Sequence, residues 1–170
     1  MNYTLRPLRP DERDAWFTFI RTEIFPDDPI ENLESMRRNL SEDDIAGIFV
    51  AVDPQGDIVA SVQSACRDHV GGLPCRMGII SGVGTRRDCR GQGLCRKLFA
   101  LSDAYLLARN APIAHLYSKP DTLALYQKLG FFALPQRPGE DFFRMYRIIR
   151  PFPLDHTLVA SAAQLIPMLE

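Results

Sequence analysis

A chain of 170 residues with 46% hydrophobic and 24% charged side chains has the size and balance of one globular domain, able to bury about two-thirds of its unfolded surface without staples or metal. Its formal net charge of −1 gives no overall attraction to nucleic acid, and it contains no apolar run of about 18 residues that could cross a bilayer. The amino terminus, MNYTLRPLRPDERD, carries charges where a signal peptide needs its hydrophobic stretch, so a cytoplasmic protein is expected. Cys66, Cys75, Cys89 and Cys95 are spaced too irregularly for a zinc ribbon and are expected as reduced thiols.

In chain order, YTLRPLRP alternates like a first strand, and Asp11 precedes a helix with Trp16, Phe19, Ile20 and Ile24 at helical spacing. Pro26 and Pro29 interrupt it, and a second helix resumes with Ile30, Leu33, Met36 and Leu40. AGIFVAV and DIVASVQSAC are β-rich runs separated by DPQG, which reads as a hairpin. RMGIISGVGT then alternates strictly, with Gly78, Ile80, Gly82 and Gly84 on one face. A glycine face on a strand means either close approach of a ligand or backbone, or a helix packed tightly over it. Past a loop, Leu94, Leu98, Leu101, Tyr105 and Ala108 predict a helix of about four or five turns ending near Asn110. IAHLYS is a strand, PDTLALYQKLG a short helix stopped by Gly130, and FFALPQ and DFFRMYRII are two more strands. The predicted order is β-α-α-β-β-β-α-β-α-β-β over one domain, residues 1–150. The tail, 151–170, has Leu158, Ala162 and Leu165 behind Asp155 as a cap, so a terminal helix packed on the domain is expected, with a dimer arm, and hence a homodimer, as the alternative.

The stretch TRRDCRGQGLCRKLF joins the glycine-faced strand to the long helix. A helix amino terminus offers free N–H groups and the positive end of the peptide dipoles, and glycine lets an anion reach them. Arg86, Arg87, Arg90, Arg96 and Lys97 surround the loop, and the arginine fork suits phosphate oxygens. The loop is therefore a candidate pyrophosphate seat, with a solvated basic turn as the alternative. It is neither a P-loop, which ends Gly-Lys-Ser/Thr, nor a dinucleotide fingerprint, which needs a later third glycine. The patch is short and lacks interleaved aromatics, so nucleic acid is not an expected partner.

Arg90, Gly93 and Cys95, with Gly91, Gln92 and Leu94 between them, resemble the Gln/Arg-x-x-Gly-x-Gly/Ala signature of the Gcn5-related N-acetyltransferases, Cys95 standing where that family has glycine or alanine. VGTRRDCRGQGL extends the likeness upstream, with Arg87 in place of the usual proline, and LALYQKLGF, Leu123 to Phe131, resembles the family's second hallmark, a tyrosine on a short helix before leucine-glycine-phenylalanine. The resemblance implies an α/β fold with a central mixed, mostly antiparallel sheet of six to seven strands and about four helices. It implies acetyl-CoA or a longer acyl-CoA as co-substrate, with no metal, its pyrophosphate on Arg90 to Cys95 and its pantetheine arm against backbone groups of Val83, Gly84 and Thr85. Lys119 stands where many relatives carry an asparagine near that arm.

The resemblance also implies a catalytic role for Tyr126, as general acid toward the departing thiolate, and hence an acetyltransferase acting on a primary amine. A non-catalytic acyl-CoA sensor is the alternative. The base that deprotonates the amine is open among Glu23, Asp27, Asp28, Asp68, His69 and His115, or water alone. Residues 11–44 hold eleven acidic and four basic side chains, whereas 86–97 hold five basic and one acidic. An acidic region where acceptor recognition is expected points to a cationic small molecule or a lysine or peptide amine. The other reading is that DERD and SEDD merely cap and solvate helices.

Overall fold

In the computed structural model, which describes residues 2–68 and 76–150, the chain forms two compact units: residues 2–65 with 80–106, and residues 66–68 and 76–79 with 107–150. His69, Cys75 and the tail with Asp155, Leu158, Ala162 and Leu165 lie outside the described residues.

The first unit begins with β1 (Thr4–Pro7), which pairs antiparallel with β2 (Ile48–Val52), which in turn pairs antiparallel with β3 (Ile58–Arg67). Every residue of β2 is buried, which is why IFVAV is a continuous apolar run without alternation. The hairpin turn is built by Asp53, whose Oδ1 accepts from the amides of Gln55 and Asp57, and by Gly56 at φ 96°.

Helix α1 (Arg13–Phe19) continues into a π-helical turn, Ile20–Ile24, closed by the Phe25 amide on the Ile20 carbonyl at 3.0 Å. Pro26 and Pro29 end it, and α2 (Ile30–Asn39) follows as expected. A third helix, α3 (Glu42–Ala46), was not expected. Its signal is the SEDD stretch, in which Ser41 and Asp44 form a reciprocal capping box. Leu8, Trp16, Phe19, Ile20, Ile48, Val50 and Val52 form the core of this unit, with Ile24, Met36, Leu40 and Ile45 against it. Trp16 is fully buried and satisfies its indole N–H on Ser61 Oγ at 2.7 Å, so truncating it to alanine would cost about 3–5 kcal/mol.

Helix α4 (Leu94–Ala108) buries Leu94, Leu98, Phe99, Ser102 and Leu106. The buried stripe is thus offset from the expected one: Leu101 and Tyr105 lie at its margin, half-buried, the Tyr105 ring edge-on to Phe49 and its hydroxyl donating to the Asp43 carbonyl. Inside, the Ser64 and Ser102 hydroxyls bond to each other at 2.6 Å.

In the second unit β5 (Ile113–Ser118) is parallel to the first residues of β4 (Met77–Thr85), from Met77↔Ile113 to Ile79↔His115, and antiparallel to β7 (Phe143–Ile148). β7 also pairs antiparallel with β6 (Phe132–Ala133). Expected over FFALPQ, β6 stops two residues in, because Pro135 has no N–H for the ladder. Helix α5 (Leu123–Lys128) follows a 3₁₀ turn at Pro120–Thr122. With β4 shared between the units, the strand order is β1-β2-β3-β4-β5-β7-β6, a seven-stranded mixed sheet that carries five α-helices among the described residues. The expected architecture is therefore present, with α3 as the added helix.

Candidate active site

The loop between β4 and α4 needs two residues in left-handed backbone, and they are Gly91 at φ 79° and Gly93 at φ 73°. A Cβ placed on either would meet nothing within 4 Å, so both glycines answer to backbone conformation and to the open space above it, not to packing. The Gly93 carbonyl accepts from the Lys97 amide at 3.1 Å, which makes Gly93 the cap of α4 and leaves the amides of Leu94, Cys95 and Arg96 without helical partners. Leu94 is 2% exposed, so its side chain anchors the start of the helix. These free donors and the positive end of the helix are the elements an anion seat requires.

Four cations remain at this seat where the sequence suggested five. Arg86 bonds to Asp88 at 2.8 Å and to Asp53, 33 residues earlier, at 3.4 Å. Its charge is neutralised there, and the bond to Asp88 in particular raises its pKa further and holds the Asp88 carboxyl below the usual carboxylate range. Arg87, Arg90, Arg96 and Lys97 are exposed. Arg90 Nε donates to the Thr85 carbonyl at 3.0 Å, folding the loop back on the end of β4 and bringing the predicted residues Val83, Gly84 and Thr85 together with Arg90–Cys95 in one unit. Sequence reasoning missed Tyr3, whose phenol bonds to the Cys89 thiol and to the Gln92 side chain, the former bond raising its pKa. Cys95 is small enough for the first turn of α4, and burial pushes its thiol up to about 11.

The glycine face of β4 has a structural occupant. A Cβ on Gly84 would lie 2.6 Å from Ile24 Cγ1, and one on Gly82, itself at φ 55°, would lie 3.3 Å from Ile20 Cδ1 and 3.5 Å from Trp16. Of the two explanations open from sequence, tight helix packing accounts for these two glycines.

In the second unit Tyr126 projects from α5 and is 8% exposed, its ring edge-on to Phe131 with centroids 6.0 Å apart. Of the candidate bases, Asp68 pairs with Arg76 at 3.7 Å, Asp27 and Asp28 are exposed, and Glu23 is half-buried on the π-helical turn. His115 is 5% exposed, packed at 4.8 Å on Tyr117 and 4.6 Å on Tyr146, and its Nδ1 has no hydrogen-bond partner. Burial, and then the charge of Arg144, lower its pKa, so the imidazole is neutral at pH 7. Part of the acidic region is structural: Glu12 binds Arg6 at 2.6 Å and the Arg9 amide, Asp14 binds Arg37, and Asp44 caps α3. Asp27, Asp28 and Glu31 stay exposed around the helix break. Among the described residues, no three His, Cys, Asp or Glu side chains gather as a metal site would need, and no helix is long and apolar enough to cross a membrane.

The sequence has no match among curated proteins. Among solved structures, the chain is similar to the NatC complex bound to Gag peptide and CoA, at 15% identity and TM-score 0.69, covering 87% of this chain and 99% of that one. It is similar to a GNAT family N-acetyltransferase from Escherichia coli in complex with CoA, at 19% identity and TM-score 0.68, covering 88% and 83%. It is also similar to a polyamine N-acetyltransferase from Drosophila melanogaster, an enzyme that forms N-acetylagmatine, at 14% identity and TM-score 0.67, covering 85% and 98%. These identities speak for the fold. The family is given by a profile of the acetyltransferase (GNAT) domain, which matches residues 4–133 and takes in the glycine loop, the first turn of α4 and Tyr126: the chain belongs to the Gcn5-related (GNAT) acetyltransferases, a family of acetyl-CoA-dependent N-acetyltransferases.

Proposed function

We propose that the protein moves the acetyl group of acetyl-CoA onto a positively charged primary amine, either a small molecule or a lysine or peptide amine, by direct attack on the thioester. The observation that carries this reading is the pair of left-handed glycines in open space at the start of α4, which presents unpaired amides to a diphosphate. Arg90 to Cys95 hold the pyrophosphate in this reading, and the backbone of Val83 to Thr85 receives the pantetheine arm. The neutral amine attacks the carbonyl carbon, the C–N bond forms, the C–S bond breaks, and the sulfur takes its proton from the Tyr126 phenol as general acid. The proton lost by the ammonium formed on the acceptor passes through solvent and restores the Tyr126 phenol, which leaves an N-acetyl amine and free CoA. A polyamine enzyme and a peptide-bound complex among the structural neighbours are in keeping with an amine acceptor of either kind. One domain over residues 1–150 suffices for this chemistry.

Calorimetry with CoA and an acetyl transfer assay over a panel of amines test the proposal together. Gly93→Val is expected to weaken CoA binding at least about 10-fold, because the valine strains the backbone and covers the amides. Tyr126→Phe is expected to lower kcat by about 10²-fold or more with KM for acetyl-CoA preserved. CoA affinity untouched by Gly93→Val would remove the seat, and full turnover by Tyr126→Phe would remove the acid.

A further inference from the structure

Tyr126 leads directly into a tight turn, and one side chain from the sheet holds that turn. The Leu129 and Phe131 amides both donate to the Tyr126 carbonyl at 3.0 Å, the Gly130 amide donates to the Gln127 carbonyl at 3.0 Å, and Gly130 takes φ 87°. This is a left-handed helix stop, and it leaves the Leu129 carbonyl for an outside donor. Arg147, on β7 opposite Ala114, supplies it: Nη1 donates to the Leu129 carbonyl at 3.0 Å. The same guanidinium lies over the Phe131 ring, 4.7 Å from its centroid, and the Arg147 stem passes so close to Gly130 that a Cβ there would be 3.5 Å from Cδ. Phe131, only 3% exposed, meets Tyr126 edge to face at 72°. Guanidinium, Phe131 ring and Tyr126 ring therefore form one contact series from the sheet to the phenol.

We infer that Arg147 is a positioning residue for Tyr126, an inference that rests on the general-acid role proposed above. Leucine-glycine-phenylalanine alone would stop the helix, but the direction of the phenol depends on where Phe131 sits, and Arg147 fixes Phe131 by a cation over its face and a bond to the carbonyl two residues before it. A small displacement of an acid from the atom it protonates costs up to about 10²-fold in rate, so the arginine acts on turnover without touching substrate.

The test is a kinetic double-mutant cycle in the full-length protein. Arg147→Met, which keeps the aliphatic stem, is expected to lower kcat about 10-fold with KM for acetyl-CoA unchanged within about twofold, and to add nothing further to Tyr126→Phe. Arg147→Lys, which retains a cation and a donor, is expected to recover most of the loss. Should Arg147→Met fail to stay folded, Phe131→Leu enters the same cycle in its place. A double variant slower than Tyr126→Phe by the full single-variant factor, or an undiminished kcat in Arg147→Met beside a crippled Tyr126→Phe, overturns the positioning role and leaves the acid in place. Full turnover in Tyr126→Phe overturns both.

Discussion

Cys95 shows what partial burial does to one side chain. In the first turn of α4 the thiol is covered enough to hold its proton to about 11 against an ordinary value of 9.0. An unfolded chain gives up this proton first, so the contribution to stability is complete below pH 9 and declines as pH rises from 9 toward 11, by at most about 3 kcal/mol. The urea midpoint is expected to fall across that window in the native protein and to fall less in Cys95→Ala. At pH 8.5, alkylation of Cys95, followed by peptide mass mapping, should run about 100-fold slower than for glutathione, and labelling at the free-thiol rate would contradict the burial. At this scale the signature residues Arg90, Gly91 and Gly93 were legible because their spacing is local. The ion pairing of Arg86, one of the five cations counted around the loop, and the contact of Tyr3 with the loop were not legible, since Asp53 lies 33 residues from Arg86 and Tyr3 precedes β1, separations that no local pattern encodes.

The π-helical turn and β4 are coupled through glycines that have no room to grow. Gly84 has an ordinary backbone conformation, so alanine there is opposed by contact alone, the two nearest Ile24 carbons lying 2.6 and 2.8 Å from the new Cβ. Gly84→Ala is expected to cost about 1–3 kcal/mol in a denaturant titration, and Ile24→Val in the same chain to return part of it. Strictly additive losses would show that the two elements are not packed as described. Gly91→Ala has nothing to collide with, so its cost of about 1–2 kcal/mol comes from the left-handed backbone alone and no second-site change relieves it. Most elements could be read from the sequence because period and punctuation agree, as in the proline break between α1 and α2 or the DPQG hairpin. α3 was not, because a five-residue helix has too few turns to show a period, and β6 was read too long, because the extent of a two-residue strand depends on its partner's register.

Across the molecule the ionisable groups are polarised, with acids concentrated in residues 11–44 and cations in residues 86–97 of a chain whose net charge is −1. Several acids are committed to arginines and caps, while Asp11, Asp27, Asp28, Glu31, Glu42 and Asp43 stay exposed, and of these Asp27, Asp28 and Glu31 surround the helix break and would draw a cationic acceptor. If electrostatic attraction selects the acceptor, KM for a diamine or triamine rises between about 20 and 200 mM salt while KM for a neutral amine stays flat. Equal salt responses from charged and neutral acceptors would assign those carboxylates to solvation alone. The two compact units also divide the proposed labour, with the anion seat made by residues before Leu106 and the proton donor by residues after it. Each unit draws on two separate stretches of chain, so synthesis from the amino end imposes a schedule. Residues 66–79 leave the ribosome long before most of their own unit, and the glycine loop is synthesised ahead of the segment bearing Tyr126. In the proposed reading, every residue of the diphosphate seat is therefore in the chain before the acid is added.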